Sequence, residues 1–117
     1  MIIDVNGKDL ELKFNLKFMK KLNENYKKES ERAGINIGIN LLYAALRVYD
    51  PMAVEDTIRY AKTKDSDVTN KEIEEWLDEA DIEKLCDDFL KELETAPTTK
   101  GAVKIVKESI EHELMNL

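Results

Sequence analysis

Apolar and polar residues alternate from the first position. Met1, Ile3 and Val5 form one run, Leu10, Leu12 and Phe14 a second, and Asn6-Gly7 lies between them. Asn-Gly favours a two-residue type I′ turn, because both central residues need positive φ. With that turn, Ile3 falls opposite Leu10 and Met1 opposite Leu12. The six apolar residues then share one face of a β-hairpin over residues 1–14. The register also sets Asp4 against Asp9, a like-charge pair that belongs in solvent. A lone hairpin is marginal in water, so its apolar face must lie on helices or on another chain.

From Asn15 the period changes. Asn15 is placed to cap a helix with the stripe Leu16, Met19, Leu22 and Tyr26, to which Phe18 adds. Residues 27–33 are charged and aperiodic. In "GINIGIN" (residues 34–40) Ile35, Ile37 and Ile39 alternate like a strand, yet residues 41–48 read as a buried helix. A loop at Gly34 and a helix from about Asn36 to Tyr49 is the favoured reading, a short strand the alternative. Asp50 then caps a helix with Pro51 in its first turn and Val54, Ile58 and Ala61 on its apolar face.

Residues 62–68 are polar and expected to be exposed. Thr69 and Glu72 have capping-box spacing, with Val68 and Ile73 placed as the hydrophobic staple. Ile73, Trp76 and Leu77 follow, then a break near Ala80–Asp81. Ile82, Leu85, Cys86, Phe89, Leu90 and Leu93 form the most regular amphipathic stripe in the chain. "TAPTT" ends that helix, and a last one from about Thr99 turns Val103, Val106, Ile110 and Leu114 inward. The expected fold is a single α+β domain over residues 1–117, mostly helical. A hairpin (1–14) is followed by a part of five or six short helices (15–117).

Composition narrows the function. At 117 residues, 43% apolar and 37% charged, the chain can build one core. No apolar run spans a membrane, and no secretory leader is visible. The single cysteine, Cys86, excludes an internal disulfide and fits a reducing cytoplasm. Net charge is −7 and uneven. Residues 1–64 hold 12 Lys/Arg against 9 Asp/Glu; residues 65–117 hold 6 against 16. An acidic half of this size repels nucleic acid at long range.

Candidate chemistry is sparse. His112, the one histidine, sits on a charged face with no nucleophile spaced to it. Cys86 lies on an apolar stripe, where a thiol acts as a small hydrophobe. Glu74/Asp78 and Asp87/Lys91 lie on exposed helix faces. Asp65, Asp67 and Thr69 imitate the start of a calcium loop. That loop fails at Asn70, where glycine is needed, and at Trp76, where a bidentate glutamate is needed. The four glycines form no phosphate loop. Of Lys13, Lys17, Lys20, Lys21, Lys27 and Lys28, all but Lys13 spread over the polar side of the first helix, where acidic residues of the same fold can pair with them. No enzyme, cofactor, metal, nucleic acid or membrane is implied.

Taken in order, several segments resemble the tail assembly chaperones of long-tailed phages and prophages of Gram-positive bacteria. They are the hairpin text Val5-Asn6-Gly7-Lys8 and Leu10-Glu11-Leu12-Lys13-Phe14, then "NLKFMKKLNENY", "GINIGINLLYAAL", "YDPMAVEDTIRYA", "VTNKEIEEWLDE" and "ADIEKLCDDFLKELE", with a lysine-bearing tail. The resemblance implies a non-enzymatic protein of the host cytoplasm, absent from the mature virion. Such proteins bind the tape-measure protein and keep it soluble while the tail tube forms, with the tube protein a further partner. In related phages a ribosomal frameshift makes a minor longer form, and this chain would be the short one. Partner contact is then expected at the hairpin edge with Phe14 and Phe18, and at Ile35, Ile37 and Ile39. The open strand edge also allows a homo-oligomer. The competing readings are a small DNA-associated regulator or a general adaptor domain of a mobile element.

Overall fold

The computed structural model describes residues 1–25 and 37–115, with the side chains of Ile37, Leu114 and Met115 outside the description. Asn6 and Gly7 adopt φ of 54° and 85°, the pair of left-handed residues that a type I′ turn requires. Strands β1 (Ile2–Val5) and β2 (Lys8–Glu11) therefore pair antiparallel, with Ile3 opposite Leu10 and Asp4 opposite Asp9. The expected register holds. Asp4 Oδ1 accepts the Gly7 N–H at 2.7 Å, so the carboxylate that faces Asp9 also fastens the turn. Ile3, Val5, Leu10, Leu12 and Phe14 are buried, and Met1 partly so.

Six helices follow among the described residues. In α1 (Leu16–Asn25) the Asn15 side chain accepts the Phe18 N–H at 3.0 Å, the expected cap. The buried face is Phe18, Met19 and Leu22, whereas Leu16 is 61% exposed. The predicted stripe is thus corrected at its first member. Leu16 lies about 110° around the helix from the centre of that buried face. Tyr26 and the segment through Asn36 lie outside the described residues.

Helix α2 (Ile37–Arg47) takes the helical reading of this stretch, ends two residues before the expected Tyr49, and buries Ile39, Leu42, Tyr43 and Leu46. Gly38 lets it close on α1, for a Cβ there would stand 3.1 Å from both Leu22 Cγ and the Leu22 carbonyl oxygen. In α3 (Pro51–Ala61) the Asp50 carboxylate accepts the Met52 N–H, and Ala53, Val54, Thr57, Ile58 and Ala61 are buried. Thr57 is buried without penalty because its hydroxyl donates to the Ala53 carbonyl at 2.8 Å.

Helix α4 (Asn70–Leu77) opens on the full capping box. Thr69 Oγ1 accepts the Glu72 N–H at 3.1 Å, and Glu72 Oε1 accepts the Thr69 N–H at 3.3 Å. Val68 and Ile73 are both buried, as a staple requires. Asp81 caps α5 (Ile82–Thr95), accepting the Lys84 N–H at 3.1 Å. Leu85, Cys86, Phe89 and Leu93 are buried, with Ile82 and Leu90 packed at the margin. Helix α6 (Lys100–Met115) places Val103 in the core, with Val106 and Ile110 partly buried.

The hairpin face, α1, α2, α3, α5 and the start of α6 enclose one core. Phe14 sits at the join, edge-on to Phe18 at 5.2 Å and 6.3 Å from the Phe89 ring. Among the described residues no helix is long and apolar enough to cross a membrane.

Candidate partner-binding surface

The two long edges of the hairpin have different fates. Beyond β2, Leu12 forms an antiparallel bridge with Lys62. The Lys13 N–H donates to the Ala61 carbonyl at 2.8 Å, and the Thr63 N–H donates to Glu11 at 3.3 Å. The start of the segment after α3, expected to be exposed, therefore covers this edge at Glu11 and Lys13. The edge of β1 stays open. Its ladder uses Val5, Ile3 and Met1, the last exchanging bonds with Leu12 in both directions. The alternation of an antiparallel ladder turns the N–H and C=O groups of Ile2 and Asp4 outward. No backbone hydrogen bond from another described residue covers them.

A groove of about 470 Å³ runs along that edge. Met1, Ile2, Ile3 and Asp4 form one wall; Trp76, Ala80, Asp81, Lys84, Leu85 and Asp88 form the other. Ile2 is 65% exposed, and the Trp76 ring is half-buried. Among the rim charges, Lys84 pairs with Asp88 at 2.9 Å, leaving Asp4 and Asp81 as the surplus. An open strand edge beside an apolar, mildly acidic groove is what an added strand of a partner chain needs. The backbone supplies the bonds, and alternate side chains enter the groove.

The contact residues expected from the sequence have different positions. Phe14 and Phe18 lie under the hairpin with 8% and 0% exposure, and Ile39 is fully buried in α2. Ile37 opens α2, and Ile35 lies outside the described residues. The β1 edge does belong to the exposed surface. Trp76 reaches it only through the fold, and no periodicity in the sequence signals that meeting.

The lysines are arranged differently from expectation. Among the described residues, no ion pair joins Lys13, Lys17, Lys20 or Lys21 to the acidic region. Lys13, Lys17, Lys21, Lys62 and Lys64 instead ring a hollow of about 170 Å³. Partial desolvation and the neighbouring Lys64 and Lys21 ammonium groups pull the Lys17 pKa down. The acidic half is tied to the hairpin by Lys8, whose ammonium meets Glu72 at 3.1 Å.

The remaining polar candidates have structural duties. Cys86 is fully buried, and burial pushes its thiol up to about 11. Thr69, third in the calcium-like series, has its side chain committed to the capping box. His112 is on the exposed side of α6, and Glu74 and Asp78 are exposed on α4 and just past its end. Among the described residues, no cluster of His, Cys, Asp and Glu is grouped to hold a metal ion.

A family comparison identifies the chain. The model described as "Phage tail assembly chaperone protein, TAC" matches residues 2–108, from β1 into α6. The chain belongs to the phage tail assembly chaperone family. No curated protein and no solved structure matches it. Membership gives the chain a part in assembling phage tails with other tail proteins, and a non-enzymatic role. The chaperone's open β1 edge and groove lie within the matched region, as do α4 and α5, which form the far wall.

Proposed function

We propose that this tail assembly chaperone binds the tape-measure protein of its phage at the β1 edge and the adjoining groove. There it keeps that client dispersed in the host cytoplasm while the tail tube forms, and it leaves before the virion is complete. Family membership supports the assembly role, and one observation carries the choice of surface. Ile2 and Asp4 present unpaired backbone groups beside the apolar wall of Trp76, Ala80 and Leu85. The net charge of −7 supports the dispersing role, because like-charged complexes repel one another.

Tube protein is the second partner in this reading, recruited once the client is coated. Without client, the same edge pairs two copies of the chain. Phe14, Phe18 and Ile39 contribute from beneath by holding the hairpin and α2 in place. Ile35 and Ile37 join the variants to be tested for direct contact.

The deciding experiment is co-expression with a tape-measure protein. The client should move to the soluble fraction with the wild-type chain, and less so with Ile2→Pro, which blocks the outward N–H. A client equally insoluble with and without this chain would sink the reading. A salt-sensitive gel shift on duplex DNA would favour the regulator instead.

A further inference from the structure

A second surface lies at the corner between α2 and α3. After Arg47 the chain closes α2 with three bonds, the first from the Val48 N–H to the Ala45 carbonyl at 3.2 Å. The Tyr49 N–H donates to the Leu46 carbonyl and the Asp50 N–H to the Ala45 carbonyl, both at 3.1 Å. This closure needs one left-handed residue, a place glycine normally takes. Here it is Tyr49, at φ 58°. Asp50 reverses the chain at once by capping α3. The reversal leaves Val48 76%, Tyr49 42% and Met52 74% exposed. Three of the seven large apolar side chains exposed among the described residues thus fall within five positions.

The margin of this patch is acidic. The Tyr49 hydroxyl donates to Asp87 Oδ1 at 3.3 Å, and Glu83 stands one turn earlier on α5. Their negative charge, Asp87 first, raises the Tyr49 phenol above its ordinary range. Asp50 adds a third carboxylate, whereas Arg47, the nearest cation in sequence, turns its guanidinium over the Tyr43 ring at 5.9 Å. The patch has no open strand edge, since helices flank it on both sides. A partner strand therefore has nothing to pair with, and nucleic acid meets the wrong charge.

We propose that Val48, Tyr49 and Met52, within the margin of Asp50, Glu83 and Asp87, dock a basic amphipathic helix of a protein partner. The apolar stripe of that helix covers Val48 and Met52, with the thioether adapting to its shape. Flanking lysines or arginines meet the three carboxylates, which sets orientation and association rate. Tyr49 supplies a rigid amphipathic ring of the kind that anchors protein contacts. Its backbone conformation is tolerated because the display is useful, although glycine would adopt it freely. This face shares helix α5 with the β1 groove but none of its residues, since the groove wall uses Asp81, Lys84, Leu85 and Asp88, and the proposal does not rest on the client proposed there.

The test uses a labelled 14-residue leucine–lysine amphipathic helix as probe, with its leucine–glutamate twin. Fluorescence anisotropy against the full chain is the readout. The lysine probe should bind, weaken as salt rises, and lose at least tenfold in affinity for Val48→Ser/Met52→Ser. Tyr49→Gly should keep or raise the Tm yet lose at least fivefold. Equal binding by either variant overturns the proposal, as does equal binding of the glutamate twin or no binding at all. An oligomer that falls apart in Val48→Ser/Met52→Ser also overturns it, because a second copy would then be the occupant.

Discussion

The Thr98 hydroxyl donates to the Phe14 carbonyl at 2.6 Å, joining the turn before α6 to the exit of the hairpin across 84 residues of chain. Together with the Phe14–Phe89 ring contact it anchors both ends of the sequence at one point. Thr98→Val keeps the shape and removes the donor, leaving the carbonyl short of a partner. The expected loss is about 1 kcal/mol, read as a lower urea midpoint with an unchanged m-value. A change in m instead would mean that the hairpin had come loose.

The box at the start of α4 gives an acid dependence. The Lys8 ammonium, then the Thr69 backbone N–H, hold the Glu72 carboxyl below its usual range. A lowered folded pKa adds stability above the unfolded value and loses it as pH falls through the folded one. Glu72→Gln should therefore be less stable at neutral pH and show a shallower decline below about pH 5. Thr69→Ala should cost about 1 kcal/mol at neutral pH. It should keep most of that cost in acid, because the cap to the Glu72 N–H persists there while only the minor bond to the Glu72 carboxylate is lost. Melts from pH 3 to pH 7 separate the two variants; parallel acid limbs for wild type and Glu72→Gln would refute the assignment.

Cys86 sets the alkaline side. Burial, with Asp87 and Asp50 behind it, lifts the thiol to about 11. A raised folded pKa means that the unfolded chain loses its proton first. Stability from this group is complete below about pH 8.5 and declines as pH rises towards 11. Cys86→Ala should flatten that decline, with a wild-type loss of up to about 3 kcal/mol over the window. At neutral pH the native thiol should resist iodoacetamide, and mass spectrometry should find modification only after unfolding.

Gly38 tests the contact of α1 with α2. Alanine in mid-helix ordinarily gains up to about 1 kcal/mol over glycine. Here its Cβ would meet Asn23 Oδ1 at 2.8 Å and the Leu22 backbone at 3.1 Å. Overpacking against backbone should prevail, with a net loss of about 1–2 kcal/mol in a chemical melt. A gain would show that α1 can move aside.

Local chemistry made much of this fold legible. Asn6-Gly7, Asn15, Asp50-Pro51 and the Thr69/Glu72 pair each act within a few residues, so their spacing alone carries the outcome. The stripe from Ile82 to Leu93 reads equally well, because one helix face meets one core. Leu16 misled because its spacing to Met19 looks helical, while Phe18 and Leu22 rotate the buried face away from it. The sealing of β2 by residues 61–63 could not be read, since backbone hydrogen bonds ignore side-chain identity. The groove was hidden for a related reason: Ile2 and Trp76 are brought together only by packing. Tyr49 contradicts local preference, and a left-handed tyrosine shows in no sequence pattern.

The hairpin is also made before the elements it packs on. Its partners Ala61, Phe89 and Thr98 follow it from the ribosome, Thr98 by 84 residues. At ordinary translation rates that is a wait of roughly 5–15 s. Throughout it, Leu10, Leu12 and Phe14 have no core to enter and both strand edges are bare. Nascent chains on one polysome therefore carry the same unsatisfied strand side by side. The aspartates at positions 4 and 9, one on each strand, are then the charges that keep neighbouring hairpins from joining before each has folded.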